Sequence, residues 1–432
     1  ITSTPAMDEL WRQRVKNDYL SLKISGKTSD EITKTLSDRY RQIKRRVHQF
    51  TNQDVLTIFA NAYLASVDPH SRYLSPRARD NFKIRMSLSL EGIGAVLRSD
   101  SDYTRVLRVV PGGAADIAGD LKAGDHIIGV GQAEDEPMVD VIGWRLDDVV
   151  ALIRGPKDTL VRLELIPTGK GPDANSKIIR ITRDKIKLKE QAAKISIIEI
   201  KRLEQPVRIG VIQIPTFYID FEGRSRGDSD YRSTTRDTRK LIDELKFSNV
   251  DGLVIDLRGN GGGALTEAIS LSGLFISSGP IIQIRDARGR IRPRKDPDKG
   301  IAYNGPLAVL VDRESASASE IFAGAIQDYR RGLIIGEPTF GKGTVQNLID
   351  LDRYSEDDSP VGQLKITTAQ FFRIDGNSTQ HRGIVPDIVL PMTVDSETQG
   401  ERGLNHALPW AKIAAAKFRH FSDASVVNQL AS

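Results

Sequence analysis

The chain has 432 residues, enough to bury a sizeable core and to hold two or three domains. It is 39% hydrophobic and 28% charged, ordinary for a folded globular chain, and its net charge of +5 singles out no partner. Cysteine is absent, which excludes disulfides, thiolate catalysis and Cys-based zinc sites; no apolar run is long enough to span a bilayer.

The chain opens on Ile1 rather than Met and shows no signal peptide, as a mature or trimmed chain would; Ala431-Ser432 fits a cloning scar. Helices come first. Trp11, Val15 and Tyr19 recur at helical spacing, and Thr28 to Glu31 form a capping box ahead of Ile32, Leu36, Tyr40 and Val47. A further polar start, Thr51 to Asp54, precedes Val55, Phe59 and Tyr63, and Asp68-Pro69-His70 ends the region. The pattern predicts a helical region over 1–86.

From Ser87 short strands and turns take over, as in SLEGIGAVL and PGGAADIAGDLKAGDHIIGVG, with a helix in WRLDDVVALI and a strand in VRLELIP. These predict a small strand-rich module over 87–169. Residues 170–206, with IIRITR and AKISIIEI, read as a connector. Strands and helices then alternate over 207–395: GVIQI, TRDTRKLIDELK, GLVIDL, ALTEAISLSGLF, LAVLV and SASASEIFAGAIQDY. That alternation predicts a largely parallel sheet covered by helices, followed by a tail over 396–432. GRSRGDSDYRST and YSEDDSP read as exposed loops. The basic run Arg285 to Lys299 carries three aspartates and no aromatic residue, so it reads as a solvated hairpin and not as a nucleic-acid surface.

Three motifs carry chemistry. GEPTFGKGT, Gly336 to Thr344, outlines a P-loop, but Gly343 stands where Ser or Thr is needed and TVQNLIDLD alternates like a strand where a helix is required. VIDLRGNGGGALTE has the outline of a dinucleotide fingerprint; its bare N–H groups at a helix start serve a cofactor or an oxyanion equally well, or make only a tight turn. VDRESASASEIFAGAIQ places Ser315, Ser317 and Ser319 at a helix start, where a serine is ordinarily an N-cap. As a nucleophile such a serine needs a base. No histidine lies between His126 and His381, so a lysine is the candidate. Lys342, between two glycines and beside Phe340 and Val345, has no adjacent carboxylate. Burial would have to depress its pKa from about 10.4 toward neutrality, at a cost on the order of 4 kcal/mol. The six histidines form no close metal pair, so neither metal nor cofactor is expected.

SASASE, GEPTFGKGTVQ and LRGNGGG together resemble the carboxyl-terminal processing peptidases. SLSLEGIGAVL, DPHSRYLSP and ALTEAISLSGLF resemble the tail-specific branch of Gram-negative bacteria, from about Leu10 to Trp410. Proteases of that branch continue into a further helical domain, so the resemblance implies a trimmed chain or a shorter relative. It implies an α+β multidomain fold: helical N-terminal region, PDZ domain, and an α/β protease core of ClpP/crotonase type. It implies Ser317 as nucleophile, Lys342 as general base and Gln346 as the lysine's partner. On an ideal strand Gln346 would stand about 13 Å from Lys342, so the chain must curl for them to meet. The amide of Ala318, with one from Gly261, Gly262 or Gly263, would form the oxyanion hole, Gly261 and Gly262 foremost. Asp328 is a family-derived catalytic candidate, although on one helix it would stand about 16 Å from Ser317. Glu320, Arg258 and Thr339 would shape the site, or make an ordinary ion pair and turn. In the PDZ module, Gly92, Ile93, Gly94 and Ala95 would hold a substrate's C-terminal carboxylate, and the helix from Leu146 would line the groove.

The resulting expectation is a periplasmic, ATP-independent serine endopeptidase that selects apolar C-terminal tails, with a tetratricopeptide adaptor lipoprotein as partner. Its rivals are a peptide-binding scaffold without catalysis, which Ser317 and Lys342 together weigh against, and an oxidoreductase built on GNGGGA, which leaves SASASE unexplained.

Overall fold

The computed structural model describes residues 3–170, 175–201, 206–298, 300–356, 359–391 and 399–421. Ala431-Ser432, Lys299 and part of the YSEDDSP loop lie outside them. The chain divides into two compact units, Ile1–Phe59 and Ala60–Ser432. Among the described residues no helix is long and apolar enough to cross a membrane.

The first unit is helical. Thr4–Ile24 starts on Ser3 as N-cap with proline in its first turn. Ser29–His48 starts on the capping box: Glu31 accepts from the Thr28 N–H at 2.9 Å, and Thr28 accepts from the Glu31 N–H. The two helices meet through the Trp11 and Tyr40 rings, edge-on at 6.0 Å, and through Tyr40 donating to Asp18.

In the second unit the helix Pro76–Ser87, at the end of the expected helical region, leads into the strand-rich module. An antiparallel sheet runs in the order Ala95–Asp100, Tyr103–Val109, His126–Gly131, Leu160–Ile166, Lys177–Thr182. The helix Leu146–Ile153 buries Val149 and Ile153 in the core cluster formed by Val106, Ile127, Val161 and Leu163. Its last carbonyls are capped by a buried arginine: Arg183 donates to Leu152 O and Ile153 O.

The connector is a correction. Lys177–Thr182 completes the module's sheet, Asp184–Lys187 pairs with Ser89–Gly92, and Lys194–Ile200 pairs with Val207–Gln213 in the next sheet. Alternating polarity marked these strands, but it carries no record of which sheet each one joins.

The larger module has two sheets. The first begins with Lys194–Ile200, antiparallel to Val207–Gln213. Four parallel steps follow: Gly252–Asp256, Leu307–Val311, Leu333–Gly336 and Ile388–Val389. The helices Thr234–Phe247, Leu265–Gly273 and Ala318–Asp328 contribute Leu245, Leu271 and Phe322 to the core beside Ile255 and Val309. The second sheet is antiparallel. Gln363–Phe372 pairs with Arg72–Leu74, Thr344–Asp350 and Pro280–Asp286, the last of which forms an exposed hairpin with Ile291–Lys295. The polar loop GRSRGDSDYRST begins inside a short helix, Phe221–Arg226, capped by Asp220. The expected tail is, over 399–421, part of the structure: Ala416 and Phe418 pack on the core, and Glu401 is fully buried. Its remaining residues, 396–398 and 422–432, lie outside the described ones.

Candidate active site

Three loops leave the carboxyl ends of neighbouring parallel strands, where open α/β sheets bind ligands. Gly252–Asp256 runs into the glycine run, Leu307–Val311 into the serines, and Leu333–Gly336 into GEPTFGKGT. Asp312 joins the first two, because its carboxylate accepts from the N–H groups of Gly259, Glu314 and Ser315.

The three serines have different fates. Ser315 Oγ donates to Leu257 O at 2.8 Å and Ser319 Oγ to Asn260 O at 2.8 Å; both are buried and fasten the serine loop to the glycine loop. Ser317 lines a cavity of about 340 Å³, and among the described residues its hydroxyl donates to no group. Its backbone is left-handed, φ 57° and ψ −107°, a conformation costly for any residue but glycine. That turn sets it at the head of the helix Ala318–Asp328.

Lys342 lines the same cavity. Its Nζ donates to Gln346 Oε1 at 2.6 Å. Burial, with Lys365 nearby, pushes its pKa down to about 8, against Glu401, Glu320 and Asp68, which hold it up. Gln346 Nε2 donates to the hydroxyls of Thr344 and Thr367, at 2.9 and 3.0 Å, which turns Oε1 toward the lysine. The strand register shifts between Val345 and Gln346, opposite Ala369 and Thr367, and this irregularity aims Gln346 back at Lys342.

Glu320 ties the Lys342 loop to Ser317. It is fully buried and accepts from the N–H groups of Ser317 (2.6 Å), Gly341 (2.7 Å) and Lys342 (3.0 Å), and from Thr339 Oγ1 (2.7 Å). Burial pushes its pKa up to about 7, while those four donors favour its ionised form. Thr339 also accepts from the Ile384 N–H, so both residues shape the lysine loop.

The N–H of Ala318 bonds to no group among the described residues, and Ala318 lines the cavity with Gly261 and Gly263. Gly262 does not belong with them: its N–H donates to Asn260 Oδ1 at 2.9 Å. It packs against the Ser317 loop, where an added Cβ would lie 2.8 Å from Ala316 O and 3.0 Å from Ser317 Cβ. The expected oxyanion donors are corrected accordingly, since that amide is already engaged.

Asp328 ends its helix away from the cavity, and its carboxylate is held by the Arg373 guanidinium, an ion pair of the core and not of the site. Arg258 grips Asp256 through two nitrogens, at 2.9 and 2.7 Å, and does not line the cavity. GEPTFGKGT runs into the strand Thr344–Asp350 with no helix after it, so the P-loop outline has no phosphate-binding helix end.

In the strand-rich module Gly92 ends a strand, Ile93 is buried, Gly94 is left-handed at φ 77°, and Ala95 starts the strand beside the helix from Leu146. The amides of Ile93 and Gly94 bond to no group among the described residues, as a carboxylate cradle requires.

Sequence reasoning missed a ring of residues behind the lysine: Asp68, His70, Ser71, Thr367, Gln380 and Glu401. Asp68 Oδ2 accepts from Thr367 Oγ1, and His70 meets Glu401, whose carboxylate also accepts from Gln380. DPHSRYLSP was visible as a motif, but nothing local to it points at Lys342.

Residues 208–390 match the model of Peptidase family S41, residues 1–77 that of the Tail specific protease N-terminal domain, and residues 81–166 that of the PDZ domain. The chain is 44% identical over 422 residues to the Tail-specific protease of Haemophilus influenzae, covering 98% of this chain and 58% of the length of that protein. It is 32% identical to the Carboxy-terminal processing protease CtpA of Bacillus subtilis, over 84% of this chain and 70% of that one. A solved PDZ domain of a Carboxy-Terminal Protease from Vibrio cholerae, in complex with peptide, is 56% identical over 23% of this chain and 98% of its own, with a TM-score of 0.22. With the cavity built on SASASE and GEPTFGKGT and a relative matched over most of both chains, the protein belongs to peptidase family S41, among the carboxyl-terminal processing proteases.

Proposed function

We propose that this chain is an ATP-independent serine endopeptidase that takes substrates by their apolar C-terminal tails and cleaves them with Ser317 and Lys342. The observation that carries the reading is that the Ser317 hydroxyl, which donates to no group among the described residues, shares a cavity with Lys342, whose Nζ donates to Gln346 Oε1. A neutral lysine has two N–H bonds and one lone pair. Gln346 accepts one N–H and so orients the lone pair toward the serine.

Lys342 removes the Ser317 proton as Oγ attacks the scissile carbonyl carbon. The oxyanion forms against the N–H of Ala318 and that of Gly261 or Gly263. Collapse breaks the C–N bond, and the Lys342 ammonium returns its proton to the departing amine. Water then attacks the acyl-enzyme by the same route in reverse and frees Ser317. The cavity walls Phe82, Met86, Leu265, Ile321 and Phe371 are apolar, so an apolar residue beside the cleaved bond is favoured. The free amides of Ile93 and Gly94 would hold the tail's carboxylate, with the tail lying between Ala95 and the helix from Leu146.

A periplasmic setting is supported by the likeness to a Gram-negative tail-specific protease. The family resemblance adds a tetratricopeptide adaptor lipoprotein as partner, which co-purification from envelope extracts checks.

The test is cleavage of an unstructured protein with a free apolar C-terminus, against the same protein amidated at its tail, by the parent, Ser317→Ala and Lys342→Ala. The parent should cut the free tail best, and both variants should be inert. Cleavage by either variant would sink the Ser-Lys mechanism, and equal cutting of both tails would sink tail recognition. A parent that binds the tail without cutting it would be a scaffold.

A further inference from the structure

We propose that Asp68 is a positioning residue for Lys342, acting through Thr367 and Gln346. The proposal rests on Lys342 being the general base. The contacts form one relay. Ser71 Oγ and Thr367 Oγ1 donate to Asp68 Oδ2, at 2.6 and 2.7 Å. Thr367 Oγ1 accepts from Gln346 Nε2 at 3.0 Å, and Gln346 Oε1 accepts from Lys342 Nζ at 2.6 Å. The direction of each bond is forced. A carboxylate can only accept, so Thr367 spends its proton on Asp68 and presents a lone pair to Gln346. The amide must then turn its nitrogen to Thr367 and its oxygen to the lysine.

The strand Arg72–Leu74 places Asp68 there by pairing with Gln363–Phe372 in the register Arg72 to Lys365, which brings the residues before it alongside Thr367. The Thr367 N–H donates to Ser71 Oγ at 3.1 Å and locks that alignment. The same segment reaches the lysine from its other side. His70 bonds to Glu401 at 2.8 Å, Gln380 donates to Glu401 at 2.8 Å, and the Gly343 N–H donates to Gln380 Oε1 at 2.8 Å. Lys342 is thus strapped at its side chain and at its following amide by one stretch, Asp68 to Ser71.

Asp68 is also a counter-charge. It is 8% exposed, and its Oδ1 has no hydrogen-bond partner among the described residues, so half of the carboxylate is left to the charges around it. The charged groups acting on Lys342 are Lys365, Glu401, Glu320 and Asp68. An anion there holds a proton on the amine, and fixes how basic a neutral lysine can be.

The test uses the full chain and the free-tailed substrate, with Asp68→Ala, Asp68→Asn, Thr367→Val and the Asp68→Ala/Thr367→Val double variant. Asp68→Ala and Thr367→Val should each lower kcat by about tenfold or more, with KM changed less than about twofold. The double variant should be no worse than the poorer single one, because both cut the same relay. Asp68→Asn still accepts from both hydroxyls, so it should keep most of kcat at high pH, with the acid limb moved to lower pH. Titration of Lys342, followed by 13C NMR of ε-labelled lysine, reads this shift independently of cleavage, and should fall by about half a pH unit. Multiplying losses in the double variant, a change in KM alone, or parental kcat in Asp68→Ala would overturn the relay. An unmoved Lys342 titration in Asp68→Asn would overturn the counter-charge. Cleavage by Lys342→Ala would instead remove the general base itself, whatever Asp68 does.

Discussion

Lys342 is asked to be neutral in a place where four charged groups act on it, and burial decides the outcome. With its pKa pushed down to about 8, a large fraction of the amine is still protonated at pH 7, so kcat should climb with pH and level off above 8. A pH–kcat profile that stays flat from pH 6 to 9 would exclude Lys342 as the group that titrates. The same depression is a stability cost. From pH 8 to the ordinary lysine value of 10.5 the unfolded chain holds a proton that the folded chain has lost, so stability rises with pH across that window and the penalty is complete below it. Lys342→Met should therefore be inactive and more stable at pH 7, by about 2 kcal/mol, less than the full penalty because Asp68, Glu320 and Glu401 lose a counter-charge. Denaturant melts at pH 7 and 10 measure it, and the advantage should shrink at the higher pH. Asp328 shows the opposite case: a carboxylate with a buried side chain, on the helix that Ser317 heads, whose partner, Arg373, accounts for it without catalysis.

At the level of elements, the site is three loops at the ends of adjacent strands, fastened to one another by side chains that do no chemistry. GKG illustrates what its two glycines are for. Both positions are crowded. Gly341 is left-handed, with the His381 backbone 3.0 Å from where a Cβ would be, and at Gly343 a Cβ would meet Ser378 Oγ at 2.7 Å. Gly341→Ala should cost about 1–3 kcal/mol and displace Lys342. Thermal melts and kcat should fall together; an unchanged melt would show that the loop has room. The SASASE and GEPTFGKGT motifs and the alternation of strands and helices could be read from the chain because each is written in a few consecutive residues. Gln346 was harder, since an irregular register, invisible locally, brings it round to the lysine. Whether Ser315, Ser317 or Ser319 faces the cavity depends on acceptors about 60 positions away, Leu257 and Asn260. The strand Lys177–Thr182 was recognisable as a strand but not as part of the PDZ sheet, because pairing is decided by partners and not by its own pattern.

Across the whole molecule, the groups around Lys342 come from distant parts of the chain: Asp68 and His70 from one side of the PDZ module, Thr367, Gln380 and Glu401 from the other. The segment 399–421 is needed both for that ring and for packing, through Glu401, Trp410 and Phe418. A chain ended after Leu390 keeps every strand of the central sheet. It should nonetheless lose activity by about a hundredfold and stability by about 2–3 kcal/mol, from the missing anchors and apolar contacts. Circular dichroism should still report a folded protein, and parental cleavage by that shortened chain would show the segment to be dispensable. The contact of His70 with Glu401 spans 331 residues. During synthesis Ser317 and Lys342 therefore emerge before Glu401. A chain still short of Glu401 carries Ser317 and Lys342 without that anchor.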